Sequence, residues 1–173
     1  AGAERLLDLV LQEAEKLPEL PVVIDADGLN LLAKKRLYST LGRQYVLTPH
    51  LREMSRLSGK SVQEIADDMT SAVMGQQAGA TIVLKDARTL VSDGDWLYIN
   101  LSGNSALSTG GSGDVLSGMI GGLLAQGCTQ RTAATLAVYM HGLTAEQYCE
   151  SALPHCMLAR DILEMIPKIG GNS

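Results

Sequence analysis

Three short runs, the apolar stretches of Pro21-Val-Val-Ile-Asp25, Tyr45-Val-Leu-Thr48 and Thr81-Ile-Val-Leu84, carry no alternation of apolar and polar positions. A strand with one face in water alternates, whereas a strand covered on both faces reads as a continuous apolar run. Each run is followed by a segment of helical character, so strand and helix alternate along the chain. That order implies a mainly parallel sheet with helices on both faces. Ligands in such sheets bind at the carboxyl ends of the strands. Function is therefore sought in the residues directly after the runs.

Periodicity places the helices. Leu6, Leu7, Val10, Leu11 and Ala14 have helical spacing over 4–16, and Pro18 and Pro21 end that segment. A short helix is expected over 29–35, and Pro49 suits the first position of a helix reaching about Leu57. Ser61 and Glu64 form a capping-box pattern. The helix they open carries Val62, Ile65, Ala66, Met69 and Val73 on one face and closes at Gly79. Asp93-Gly94, between Leu90-Val-Ser92 and Trp96-Leu-Tyr-Ile99, signals a hairpin. After Gly110, helices are expected over 115–126, 130–152 and 158–166.

Composition removes several classes of function. The chain has 173 residues, 46% apolar and 19% charged, which suits one domain with a real core. A net charge of −5 without a basic cluster argues against a nucleic-acid surface. Cys128, Cys149 and Cys156 have neither CxxC spacing nor an even count, and read as reduced thiols of a cytosolic protein. No apolar run reaches the ~20 residues of a membrane span, and no charged-then-apolar signal pattern opens the sequence.

Polar residues gather where the sheet rule puts a site. Asp25 and Asp27 follow the first run, with Asn30 just beyond; His50 and Glu53 follow the second, and Lys85 the third. Asp25 and Asp27 also suit helix caps, His50 and Glu53 an ordinary first turn, and Lys85 a solvated strand end. The densest signal is Ser108-Thr-Gly-Gly-Ser-Gly-Asp-Val-Leu-Ser-Gly118. Glycines let a backbone approach a ligand closely. The first turn of the helix that follows offers unpaired N–H groups and partial positive charge, a setting for phosphate or a developing anion. Asp114 at this mouth suits either a helix cap or a base. The loop matches neither the Walker pattern nor the dinucleotide fingerprint.

Taken in order, Val22-Val-Ile-Asp-Ala-Asp-Gly-Leu-Asn-Leu-Leu-Ala33, Leu47-Thr-Pro-His50 with Glu53, Val83-Leu-Lys-Asp-Ala-Arg-Thr89, Gly103-Asn104, the glycine loop with Ala125-Gln-Gly127, and His141-Gly142 resemble the ADP/ATP-dependent NAD(P)H-hydrate dehydratases, a branch of the ribokinase-like superfamily. The likeness covers nearly the whole chain. It implies an α/β, three-layer αβα ribokinase-like fold with a mainly parallel central sheet, formed by 1–173 as one domain. It also implies a hydro-lyase that returns hydrated NADH or NADPH to the dinucleotide, spending ADP or ATP, with ADP favoured. The ring hydroxyl is phosphorylated and phosphate is then lost.

The resemblance also assigns roles. Asp114 is the general base, and the amides of Gly111, Ser112 and Gly113 stabilise the transferring phosphoryl group. His50 and Asp114 touch the hydrate; Lys85, Asp86, Ala87, Arg88, Thr89, Asn104 and Gly113 bind the nucleotide. Glu53 is the candidate for contacting a phosphate-bridging Mg²⁺, directly or through water. The implied protein is a cytoplasmic homo-oligomer with no nucleic-acid or membrane partner. Leu51-Arg52 between His50 and Glu53, Asp86 after Lys85, and Ser108 depart mildly from the family pattern. The larger departure is at the amino end. The family domain has further β–α units before the Asp25 strand, and a Gly-Pro-Gly loop of which Ala1-Gly2-Ala3 resembles a remnant. The expectation is that these residues alone are unstable or inactive. Two rivals are a superfamily kinase acting on a hydroxymethyl-pyrimidine or thiazole alcohol, and a nucleotide-binding module without turnover.

Overall fold

The computed structural model describes residues 2–74 and 79–169. Helix α1 (Gly2–Lys16) leads into strand β1 (Val22–Ile24), helix α2 (Asp27–Lys35) and strand β2 (Tyr45–Leu47). Helices α3 (Leu51–Ser58), α4 (Val62–Asp67) and α5 (Met69–Met74) precede strand β3 (Thr81–Leu84). Strands β4 (Leu90–Ser92) and β5 (Leu97–Ile99) complete the sheet, and helices α6 (Ser112–Ala125), α7 (Gln130–Cys149) and α8 (Ala159–Met165) follow.

The sheet order is β1-β2-β3-β4-β5. The pairs β1–β2 and β2–β3 are parallel; β3–β4 and β4–β5 are antiparallel. The hairpin thus extends the parallel half from its β3 side, and Leu90 pairs Ile99 across a loop of residues 93–96 that contains the Asp93-Gly94 signal. Successive strand side chains point to opposite faces, which explains the continuous runs. Tyr45, Leu47, Ile82, Leu84 and Leu90 join the core formed with α1–α5. Val46, Val83 and Val91 join Leu116, Ile120, Leu124, Ala134, Ala137 and Val138 of α6 and α7 on the other face. A smaller cluster of Ala106, Ala145, Met157 and Ile162 packs the end of the chain against these helices. Among the described residues, no helix is long and apolar enough to cross a membrane.

The helices expected from 29 and 115 start earlier, at Asp27 and Ser112, and the one expected to 152 ends at Cys149; two other elements also differ. The helix opened by Ser61 breaks after Asp67, and Asp68 takes a non-helical backbone conformation. Its carboxylate accepts the Ser71 amide at 2.9 Å and so starts α5 as a new helix. The expected closure at Gly79 involves 75–78, which lie outside the described residues. Pro49 is not the first helical residue. His50 caps α3 with its own side chain, so the helix starts at Leu51, two residues later than Pro49 would set it.

Candidate active site

The pairing between β2 and β3 continues one step past the strands. Lys85 N–H donates to the Pro49 carbonyl at 2.8 Å, and His50 bridges to Lys85. This sets the two residues side by side at the carboxyl end of the sheet. His50 Nδ1 accepts the amides of Arg52 and Glu53 at 3.1 and 3.2 Å, while Glu53 Oε2 accepts the His50 amide at 2.9 Å. With Nδ1 accepting, the neutral ring carries its proton on Nε2, which lies 3.6 Å from Glu53 Oε1. Glu53 is 6% exposed and its carboxylate is occupied inside this capping box.

Lys85 Nζ donates to Asp25 Oδ1 at 2.9 Å. Burial pushes the Asp25 carboxyl up, but hydrogen bonds from Ser117 and Lys85, the Lys85 charge and the Ala26 amide outweigh it and hold it below the ordinary range. Neither Asp25 nor Asp27 caps α2. The N-cap is Ala26, without a side-chain bond, and Asp27 is the first helical residue.

Gly111 is the N-cap of α6 at φ +86°, a left-handed conformation that glycine adopts freely. A Cβ there would also stand 3.1 Å from Ala159 Cβ. Asp114 is therefore the third residue of the helix rather than its cap. It is exposed, and its carboxylate makes no hydrogen bond or ion pair among the described residues. Of the expected loop amides, that of Ser112 already donates to the Thr109 carbonyl at 3.3 Å. Ser112 itself is buried against His141, whose Nε2 lies 3.1 Å from the Ser112 carbonyl and 3.2 Å from its hydroxyl. A carbonyl only accepts, so His141 Nε2 carries the hydrogen. Burial lowers the His141 imidazole to about 4, with the Lys85 charge adding and the Ser112 carbonyl opposing.

One cavity of about 730 Å³ is lined by His50, Lys85, Asp86, Ala87, Thr89, Asn104, Ser112 and Gly113. That size is typical of a small-molecule site. Glu53, Arg88, Gly111 and Asp114 do not line it. The Asn104 side chain is occupied within its own loop: Nδ2 donates to the Ala145 carbonyl at 3.2 Å and Oδ1 accepts the Ala106 amide at 2.9 Å. Gly142 lets this loop lie on α7, because a Cβ there would stand 2.7 Å from the Ser102 carbonyl. Among the described residues no group of three or more His, Cys, Asp or Glu could hold a metal ion, and the Glu53 carboxylate is engaged with the His50 amide rather than turned to the cavity wall. Thr48, Ser117 and His141 join the site without having been assigned a role from sequence. The one available signal was His141, a polar residue on the small apolar stripe Ala134, Ala137, Val138, Ala145.

The NAD(P)H-hydrate dehydratase family model matches residues 2–168. The ADP-dependent (S)-NAD(P)H-hydrate dehydratase of Neisseria meningitidis is 46% identical over 138 residues, covering 76% of this chain and 47% of that protein. The Bacillus subtilis ADP/ATP-dependent NAD(P)H-hydrate dehydratase co-crystallised with ATP/Mg²⁺ superposes with TM-score 0.73 at 30% identity, covering 86% of this chain and 53% of that one. A ribokinase-like superfamily protein of Enterococcus faecalis gives TM-score 0.80 at 29% identity, covering 98% and 58%. The chain spans about half the length of these relatives. The fold is ribokinase-like, and with a match that runs from α1 to the turn after α8, the chain belongs to the NAD(P)H-hydrate dehydratase family.

Proposed function

We propose that the protein carrying this chain is a cytoplasmic, homo-oligomeric hydro-lyase. It returns hydrated NADH or NADPH to the intact dinucleotide at the expense of ADP, with ATP as the alternative donor. The observation that carries the reading is the cavity where the strand end Lys85–Thr89, His50, the Asn104 loop and the first turn of α6 meet. The family relatives favour this over a superfamily kinase.

A ring hydroxyl leaves poorly, and phosphorylation makes it a good leaving group. Asp114 takes the hydroxyl proton as general base while the oxygen attacks the terminal phosphorus, and AMP departs when ADP is the donor. Loss of the phosphate together with a ring proton then restores the double bond. Gly111 and Gly113 keep side chains away from the loop, and the amides at the α6 mouth meet the charge on the phosphoryl group. Lys85 adds a cation there, Asp86, Ala87 and Thr89 carry the nucleotide along the strand end, and Asn104 fixes the opposite loop. His50 meets the hydrate. A bound Mg²⁺ would supply charge neutralisation for the phosphates.

Turnover of ADP and hydrated NADH, giving AMP, phosphate and restored reduced-nicotinamide absorbance, tests the reading. Asp114→Asn is expected to retain ADP binding and lose about 10²–10⁴-fold in turnover. A stable phosphorylated alcohol as product would identify a kinase instead. Near-normal turnover of the variant would remove the base role.

A further inference from the structure

Asp25 joins four separate parts of the fold. It follows β1, and its Oδ1 accepts from Lys85 Nζ after β3 at 2.9 Å and from the Ala26 amide at 2.8 Å. Its Oδ2 accepts from Ser117 Oγ of α6 at 2.6 Å, and Ser117 Oγ lies 3.3 Å from Thr48 Oγ1 after β2. A lysine ammonium normally swings on a flexible stem in water. Here the Lys85 and Asp25 side chains keep only 21% and 15% of their exposure. A Cβ on Gly113 would stand 3.4 Å from Lys85 Nζ, so the ammonium lies against the first turn of α6.

Stability alone gives little reason for this arrangement. The cost of desolvating a partly buried ion pair offsets most of its attraction. The backbone beside it is also strained: Ala26 sits at φ +50°, ψ −120°, a conformation that a residue with a Cβ rarely adopts. Strain of this kind persists where the surroundings over-determine a geometry, and it gathers at functional sites.

We propose that Asp25 and Ser117 are positioning residues that hold the Lys85 ammonium at the mouth of the glycine loop, so that cation and helix amides bind the same anionic oxygens. The inference rests on the phosphoryl-transfer reading above. Without Asp25 the ammonium is free to swing away from the α6 amides, which then act alone. Ser117 fixes the carboxylate through the oxygen that Lys85 does not use.

A double-mutant cycle in the protein that carries this chain tests it. Asp25→Asn is nearly isosteric and removes the charge. It is expected to lower kcat by up to about 100-fold, the scale of a misplaced group, with a smaller change in KM for ADP. Asp25→Asn in a Lys85→Met background is expected to cost nothing beyond Lys85→Met alone, because the effect runs through Lys85. Ser117→Ala is expected to lower kcat less, and Ser117→Thr to restore it. Additive losses, or a fall in melting temperature with kcat unchanged, would overturn the positioning role. If the wild type binds ADP but does not dehydrate the hydrate, the parent reading fails. The same cycle read on ADP affinity then decides the positioning role by the same criterion of additivity.

Discussion

His141 is the residue whose ionisation bears most directly on the fold. It is 7% exposed, packed under the glycine loop, and lowered from 6.5 to about 4 by burial. Above about pH 6.5 neither folded nor unfolded chain protonates it, and its contribution is flat. As pH falls from 6.5 towards 4, the unfolded chain takes up a proton that the folded chain refuses, so stability is lost across that window, by about 3 kcal/mol. Asp25 has the same sign in a lower window: its depressed carboxyl costs stability only as pH falls through and below its ordinary 3.8. Urea unfolding between about pH 7 and pH 4.5 is expected to show the loss, and His141→Gln to flatten it. Parallel slopes for both proteins would assign the dependence to other groups. Asp25, His50 and Lys85 were legible in the sequence because each follows an apolar run. Ser117 was not: it meets Asp25 across 92 residues, and a serine inside a small-residue helix carries no local signal of that partner.

At the scale of elements, the first turn of α3 combines two tasks. His50 caps the helix through Nδ1 and stands beside Lys85 on the cavity wall. The tasks separate by substitution, since asparagine is a good N-cap and lacks the ring. His50→Asn is expected to keep the melting temperature within a few degrees while weakening hydrate affinity. His50→Ala is expected to lose affinity and also about 1 kcal/mol of stability. Thermal melts beside KM for the hydrate check both, and equal stability of the two variants would remove the capping account. The parallel strands were readable from their runs, because a residue covered on either face must be apolar whichever way it points. The break between α4 and α5 was hidden. Val62, Ile65, Met69 and Val73 keep one helical period across it, while Asp68 turns its carboxylate to the Ser71 amide and starts a new helix.

For the whole molecule, the sheet divides the apolar residues between two faces, and α1 lies at the margin of one of them. Its spacing reads as a single core stripe, yet the structure splits that stripe. Leu7 and Ala14 are buried, whereas Leu6, Leu9 and Val10 are 63%, 48% and 38% exposed. The three outward residues stand at i, i+3 and i+4, so they form one continuous face. Leu17 and Leu20 extend it beyond the helix, at 53% and 49% exposed. The sheet also has an open edge, since β1 pairs only with β2 among the described residues, which leaves backbone donors and acceptors along its other side. Exposed apolar surface and an unpaired strand edge each favour association. The 173-residue chain on its own is therefore expected to self-associate, with an apparent mass that rises with concentration in light scattering. Leu6→Lys together with Val10→Lys is expected to restore a monomer. Thermal stability should change little, because substitutions of exposed residues rarely exceed about 0.5 kcal/mol each. A wild-type chain that stays monomeric at every concentration would show that this face is satisfied within the fold. Charge placed at Leu6 and Val10 that leaves association intact would move the contact to the β1 edge, where the backbone rather than the side chains makes it.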